Sequence, residues 1–532
     1  MQEGREKRLF GNGSEHTVIV MKHSSVQTQR SKDAKKAEGY LTVFLALALP
    51  IILSLIFTLL DGARRNAVRM QTEFAADIAV NSALSEFSQE LFLQYDLLMI
   101  DTAYGDGKGE LSRTEEHVRQ YMDKNLSSGG IQTYAGADFT RTSIRELTLT
   151  DTRFALDDGC GVLREQVNAY LSAEPIEGAL SRILKNVNSY NGLGLDLTEW
   201  SRKKAENEES LRSAMEEARK RREQARSSGE EAITDEGAAE AEAYAAENGI
   251  DLEHAMNPWK EINNMRSTPI LSLVLNDVSV SSRSANTTEL LSHRSWNQGS
   301  GSEPQNSHHY SQADALYMNQ YISEKCGNYR NLLEKGQLGY QIEYLLFGQS
   351  SDRSNLEKMA ETLLLIRLAA NTAYILSNSE KRSEAGVWGN VLSLLCLMPE
   401  LGELFTMAIL LAWSYVESVN DVKILFSGGK VPLMKSGSDW NTRLLSIFCP
   451  SLSGGNDSNG LDYEEYLRIL LMLENGNTRD YRLMDIMEMD VRKAEGGSSF
   501  RMDCCLDTFT MQAVVSSSFG YSYSIRREGT YE

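Results

Sequence analysis

One uninterrupted apolar run constrains this chain more than any other feature. Leu41–Leu60 reads LTVFLALALPIILSLIFTLL and holds no ionisable group. At about 1.5 Å of rise per residue, such a run makes a helix of roughly 30 Å, the thickness of a bilayer's hydrocarbon core. Lipid offers no partner to a bare peptide group, so a helix is expected there and an open strand is excluded. Pro50 sits mid-run, where it removes one backbone donor, a loss that membrane helices tolerate. The run starts forty residues in and is followed by Asp61-Gly62-Ala63-Arg64-Arg65, a poor cleavage sequence. An uncleaved anchor is therefore expected in place of a removed secretory signal.

Charge divides around the run. Residues 1–39 carry eight Lys/Arg against five Asp/Glu, and residues 61–532 carry 46 against 69. Basic residues flank both ends of the span, so the count alone does not orient it. Large downstream domains translocate largely regardless of their charge. The expected layout is a basic cytoplasmic segment (1–39), a transmembrane helix (40–60) and an extracytoplasmic bulk, making a single-pass protein of the cell membrane. A formal net charge of −20 repels phosphate backbones, so the lipid bilayer and not nucleic acid is the expected partner. Six cysteines in 532 residues are too few for a disulfide scaffold.

Helical patterning continues past the bilayer. Ala63–Leu98 contains no Pro or Gly, and Phe74, Ile78, Leu84, Phe87 and Leu91 recur at near-helical steps. This predicts a stalk helix over 61–98 with an apolar stripe. The stripe packs either on its own domain, the simpler reading, or on other subunits. Residues 197–256 form a charged helical insertion: acidic and basic residues fall three and four apart, then Glu230–Glu253 carries nine acidic residues and no basic one. The remainder, 99–196 and 257–532, reads as an α+β domain, helix-rich with a modest antiparallel sheet. Strands are expected at Thr142–Leu149 and Leu271–Ser281. A C-terminal hairpin is expected too, its first strand needing a bulge near Asp507-Thr508 because apolar parity changes there. Helices are expected at Gln312–Glu324, Leu338–Phe347, Asn355–Leu376, Glu400–Asn420 and Tyr463–Glu474. The apolar run Leu404–Val416 is too short to span and predicts a buried core helix.

Chemistry-bearing motifs are sparse. The seven histidines form no H-E-x-x-H, there is no C-x-x-C, and His308-His309 lies in a polar loop, so no metal site is expected. Gly428-Gly429-Lys430 lacks the spacing of a phosphate loop and reads as a turn. Asn456–Gly460 resembles the start of a calcium loop, but Gly455 and Tyr466 stand where carboxylates are required. Asp462 and Glu465 read instead as a capping box. Ser201-Arg202-Lys203-Lys204 has the form S-x-x-K without its companion motifs and reads as a solvated turn. Cys504 and Cys505 point to opposite faces of a strand and do not pair with each other. No catalytic residue and no cofactor is expected.

Lys35-Lys36-Ala37-Glu38-Gly39-Tyr40, followed by LTVFLALALP, resembles the leader of TadE-like minor pilins of tight-adherence systems, in which a basic stretch and a glycine precede an apolar helix. Gly39, Val43, Ala46, Leu47 and Pro50 fall on that pattern, and Phe44 stands where the family has a glutamate. The stretches 340–348, 412–418 and 462–468 resemble a second family: single-pass surface proteins of Gram-positive anaerobes that share the TadE-like leader. These resemblances imply that Lys35, Lys36, Gly39, Tyr40, Phe44 and Pro50 form the leader and anchor. They also imply an accessory, pseudopilin-like component of a tight-adherence pilus or related secretion apparatus, with pilin or secretion-system membrane subunits as partners. The rival is a membrane-tethered envelope hydrolase or carbohydrate-binding ectodomain, which requires residues such as Trp388, Trp413, Trp440, Glu343 and Glu417 to converge on one pocket.

Overall fold

Among the described residues two large hydrophobic cores form, one between helices and one under a small sheet, with a small satellite cluster of Ile183, Val187, Leu316 and Ile469. The computed structural model describes residues 34–127, 140–172, 176–228, 257–275, 280–295, 311–395, 398–447 and 460–531, with 243, 246 and 247 besides.

The apolar run lies in α1 (Ala34–Leu84), an unbroken helix with Pro50 inside it. Its most apolar window has a mean hydropathy of 2.8 and none of it is buried. By length and composition it is able to cross a membrane. Asp352–Ser377 passes the same test more weakly, at 1.3, but most of that window is buried in the domain, so it is a core helix.

Past the apolar run, α1 packs on α3 (Leu111–Ser127) and on the sheet. Its inward face is not the one expected. Val68, Thr72, Ala75, Ala76, Ala79, Val80 and Ala83 are buried, whereas Phe74 and Ile78 are exposed. Small residues let the helix approach the sheet closely, and the larger apolar side chains are left outside. The helix also stops at Leu84, short of the predicted Leu98. Ser88 then caps a separate helix, α2 (Gln89–Tyr95), whose Leu91 joins the main core.

The sheet is antiparallel, with β1 (Ile100–Asp101), β2 (Ser143–Phe154) and β4 (Ser522–Gly529) all pairing with β3 (Cys505–Ser516). The predicted bulge is present: the β2–β3 register shifts on both sides of the Arg153–Thr508 pair, leaving Asp507 unmatched. Leu506 and Phe509 thereby reach the same core as Met511, Ala513 and Val515. The C-terminal hairpin forms as expected.

Helices build the larger core. These are α4 (Asp157–Ser172), α5 (Glu177–Gly192), α6 (Glu199–Ser228), α7 (Trp259–Ser267), α8 (Ile270–Val274), α9 (Gln312–Lys325), α10 (Gln341–Phe347), α11 (Asp352–Ser377), α12 (Ser379–Leu395), α13 (Gly402–Phe426), α14 (Tyr463–Leu473) and α15 (Gly476–Lys493). The described residues are thus mostly helical with one small antiparallel sheet. Nearly every residue of α13 is buried, as its apolar run predicts. Two expectations fail. The start of the strand predicted over 271–281 is helical instead, in α8, because a short apolar run specifies no period of its own; residues 276–279 lie outside the described residues. The start of the charged insertion is also not solvated. Trp200, Lys204, Asn207 and Leu211 of α6 are buried, and the Trp200 indole and the Asn207 amide each donate to a carbonyl of α13, at 2.9 Å. Ser201–Lys204 is therefore helical, with Lys204 over the Trp259 ring. Most of the acidic half, 230–253, lies outside the described residues.

Candidate functional site

Three places on this fold gather unusual chemistry: the root of α1, a tryptophan-lined cavity, and the charged groups beneath that cavity.

At the root of α1 the C-terminal strand runs alongside the helix. The Arg65 guanidinium lies 5.4 Å from the Tyr521 ring centroid and that of Arg69 lies 5.7 Å from Tyr523. The Tyr523 hydroxyl donates to Glu73 at 2.8 Å, Arg527 pairs with Asp77 at 2.5 Å, and the Tyr531 hydroxyl donates to the Leu84 carbonyl at 2.7 Å. Four helical residues advance about 6 Å and two strand residues about 7 Å, so successive contacts keep step. β4 is a splint on the helix that leaves the apolar run. Of the anchor residues named from sequence, Lys35, Lys36 and Gly39 lie in the first turns of α1. Tyr40, Phe44 and Pro50 follow on the same helix, all exposed. Thr58 donates to the Ser54 carbonyl at 2.8 Å, so Pro50, Ser54 and Thr58, one turn apart, make a face of small groups.

The cavity, of about 650 Å³, lies between α12, α13 and the segment 440–445. Trp388, Trp413 and Trp440 all line it, with Lys381, Glu384 and Arg443. The Trp413 indole donates to the Thr442 hydroxyl at 3.0 Å, while Lys381 Nζ sits 4.3 Å from the Trp413 ring centroid. Trp440 stacks on Tyr374, and its indole N–H is buried without an acceptor. Three of the five residues required by the rival reading therefore converge. Glu417 lies just behind, accepting from the amides of Asn441 and Thr442 at 2.9 and 2.8 Å, and Glu343 is elsewhere.

Behind the cavity, Glu417 pairs with Lys435, Lys435 reaches Asp421 at 2.6 Å, and Asp421 accepts from Arg367 at 3.0 Å. All four side chains are buried. Burial opposes the charge on Arg367, but Tyr466 and Asp421 outweigh it and hold the guanidinium above its ordinary value. Two cations face two carboxylates, so the cluster is neutral as a whole.

Sequence reasoning missed α15, whose Asp480, Asp485, Glu488 and Asp490 are all buried. Each holds a different part of the chain. Arg164 reaches Asp480 at 2.8 Å, Ser292 and Tyr344 donate to Asp485, Arg294 pairs with Glu488 at 2.6 Å, and Tyr95 and Gln341 donate to Asp490 at 2.7 Å. Burial raises Asp485 and Asp490 above the usual carboxylate range. Glu343 accepts from the Tyr463 hydroxyl and the Tyr329 amide, its other oxygen has no hydrogen-bond partner, and burial pushes it up to about 7.

Other motifs take structural places. Gly428, at φ +90°, ends α13 in a turn. Asp462 and Glu465 form the predicted capping box. Cys160, Cys326, Cys504 and Cys505 are free and buried. His308-His309 and Gly455–Asn459 lie outside the described residues. Among those described, no group of three His, Cys, Asp or Glu is placed to hold a metal ion.

No curated protein and no solved structure matches the chain. A family match does cover α7 through β3, spanning the helices around the tryptophan cavity but neither α1 nor β4. On that match, residues 248–517 and just over half its length, the chain belongs to DUF5702, described as a family of unknown function.

Proposed function

We propose that this chain is a membrane-anchored cell-surface protein, an accessory, pseudopilin-like and non-enzymatic component of a tight-adherence pilus or related secretion apparatus. α1 crosses the bilayer once, with the N-terminus cytoplasmic and the acidic bulk extracytoplasmic. The observation that carries this reading is the shape of α1: its apolar half is bare, and its other half is rooted under the sheet. So much exposed apolar helix is stable only in lipid or against other helices. Pilin or secretion-system subunits would meet the Pro50–Ser54–Thr58 face, since small residues let membrane helices approach closely.

A photo-crosslinker at Ser54 in native membranes tests it. Capture of a pilin or a membrane-embedded platform subunit is expected, and capture of lipid alone would overturn the pilus assignment. Protease added to whole cells should remove the bulk. N-terminal sequencing reads out whether the leader is cut before Tyr40.

A second reading, a carbohydrate-binding ectodomain, is favoured by the three tryptophans of the cavity and by the unsatisfied Trp440 indole. Glu384 is the one carboxylate among the lining residues, whereas carboxylate-based hydrolysis needs two, so binding fits that site better than cleavage. Envelope glycans titrated against tryptophan fluorescence test this, with Trp440→Phe as the control. A flat titration removes this reading and leaves the first untouched.

A further inference from the structure

The level at which the domain meets the bilayer is set by the last apolar residue of the span, Leu60. Arg64 and Arg65 lie about 6–8 Å farther along the helix, within the headgroup layer that flanks the hydrocarbon core. The hairpin turn between β3 and β4 is tied to that level. Arg64 donates to the Ser518 carbonyl, and Arg65 covers the Tyr521 ring. The Ser517 hydroxyl donates to the Thr140 carbonyl, which brings the start of β2 alongside. Arg141 and Arg145, both exposed, stand at that end of β2.

Arg65, Arg69, Arg141 and Arg145, with the buried Arg64 behind them, thus gather at one end of the domain, against Asp61, Glu73 and Glu146 in the same segments. Asp61 pairs with Arg65 at 2.8 Å and Glu73 with Arg69 at 3.0 Å, which leaves one more exposed arginine than carboxylate. This local excess of cations belongs to a region in which acidic residues outnumber basic ones, 69 to 46. A uniformly acidic domain would be pushed away from anionic lipid, and the collar reverses that sign where the anchor enters. Arginine with tyrosine is also the pairing that suits a water–lipid boundary, with apolar body inward and polar tip in the headgroups.

We propose that this end is a lipid-contact surface: the 517–521 turn and the arginine collar rest on anionic headgroups and hold the domain upright on the membrane. The inference rests on the anchor reading above. It adds that the domain is seated on the bilayer and does not swing free on its helix.

The full-length protein in vesicles tests it. A spin label is placed in turn at Ser522→Cys, Ser524→Cys and Glu528→Cys, exposed positions on β4 that climb away from the turn by about 7 Å for every two residues. The unsubstituted protein serves as the blank. Relaxation by a headgroup-chelated nickel lipid should be strongest at 522 and fall severalfold by 528. The signal at 522 should weaken in zwitterionic vesicles and in the R65Q/R69Q double variant. A protein that floats with the vesicles but gives a flat, weak profile would overturn this inference while leaving the anchor intact. Equal signal at 522 in anionic and zwitterionic lipid would overturn the headgroup recognition. Failure to float with vesicles at all would remove the anchor, and this inference with it.

Discussion

In the helical body, Arg367, Glu417, Asp421 and Lys435 are buried together, and four more carboxylates lie inside along α15. In the sheet layer, α1 buries mainly alanine and valine, and its ion pairs, Arg69–Glu73 and Arg527–Asp77, stay partly in solvent. The two regions are specified differently. Apolar helices can slide or repack on one another at modest cost, but not if sliding strands a charge. The body is therefore held by ionic and hydrogen-bonded pins that reach distant segments. The sheet layer is held by closeness of approach, so side-chain size matters there more than charge.

The sharpest way to break this contrast is to remove one pin. Asp421→Ala leaves Arg367 and Lys435 with Glu417 as the sole remaining carboxylate of the cluster, and losing one partner of a buried pair typically costs about 3–5 kcal/mol. Urea denaturation of the detergent-solubilised protein, followed by tryptophan fluorescence, should show that loss. Arg527→Gln, which breaks the solvent-facing pair with Asp77, should cost less than about 1 kcal/mol. If the two variants lose similar amounts, the buried cluster is hydrated and the contrast fails.

Glu343 offers the next largest effect. Its folded-state value is raised by burial to about 7, above the ordinary carboxylate value of an unfolded chain. The folded state therefore binds the extra proton between those values, and stability falls as pH rises through 7. Glu343→Gln removes that dependence. It should be more stable than the parent at pH 8 by up to about 3 kcal/mol, with the gap narrowed to under about 1 kcal/mol at pH 5. Melting temperatures of both proteins across pH 5–8 check this, and a parent more stable than the variant at pH 8 would mean that Glu343 is charged and paired.

In the sheet layer the test is size. A Cβ on Gly529 would stand 2.9 Å from Val80 Cγ1 and 3.0 Å from Phe509 Cζ. Gly529→Ala should cost about 1–2 kcal/mol through overpacking, and Ala79→Leu about 1–3. Hydrogen exchange should rise across residues 64–84 in both variants and stay unchanged in α13.

Much of this division was legible beforehand, and the failures share a cause. The long apolar helix, α9, α11, α13, the capping box at Asp462 and the bulged hairpin were all readable, because large apolar side chains, a cap spacing or a parity change marked them. α15 was not, because Asp480, Asp485, Glu488 and Asp490 read as a solvated face until their partners, up to several hundred residues away, are known. Convergence of Trp388, Trp413 and Trp440 was nameable only as a requirement. α8 stands where the sequence predicts a strand, since LSLV fits either period. The inward face of α1 was misassigned because the rule of seeking large apolar residues fails where the packing depends on small ones.

That misassignment makes the smallest prediction the most discriminating. Phe74 and Ile78 lie one turn apart on the outer side of α1, at 62% and 45% exposure, while Ala75, Ala76 and Ala79 face the sheet. If those two side chains were core, Phe74→Ser with Ile78→Ser would cost several kcal/mol, as large-to-small core changes do. From their exposure the double variant should fall within about 0.5 kcal/mol of the parent. The same variant separates the two roles first considered for the stalk. A helix that serves its own domain alone loses nothing when its outer face turns polar. A helix that also packs on a neighbouring subunit keeps its stability in isolation and loses crosslinks to that neighbour in the membrane. Stability and crosslinking measured on this one variant therefore report on the inner and outer faces of α1 independently.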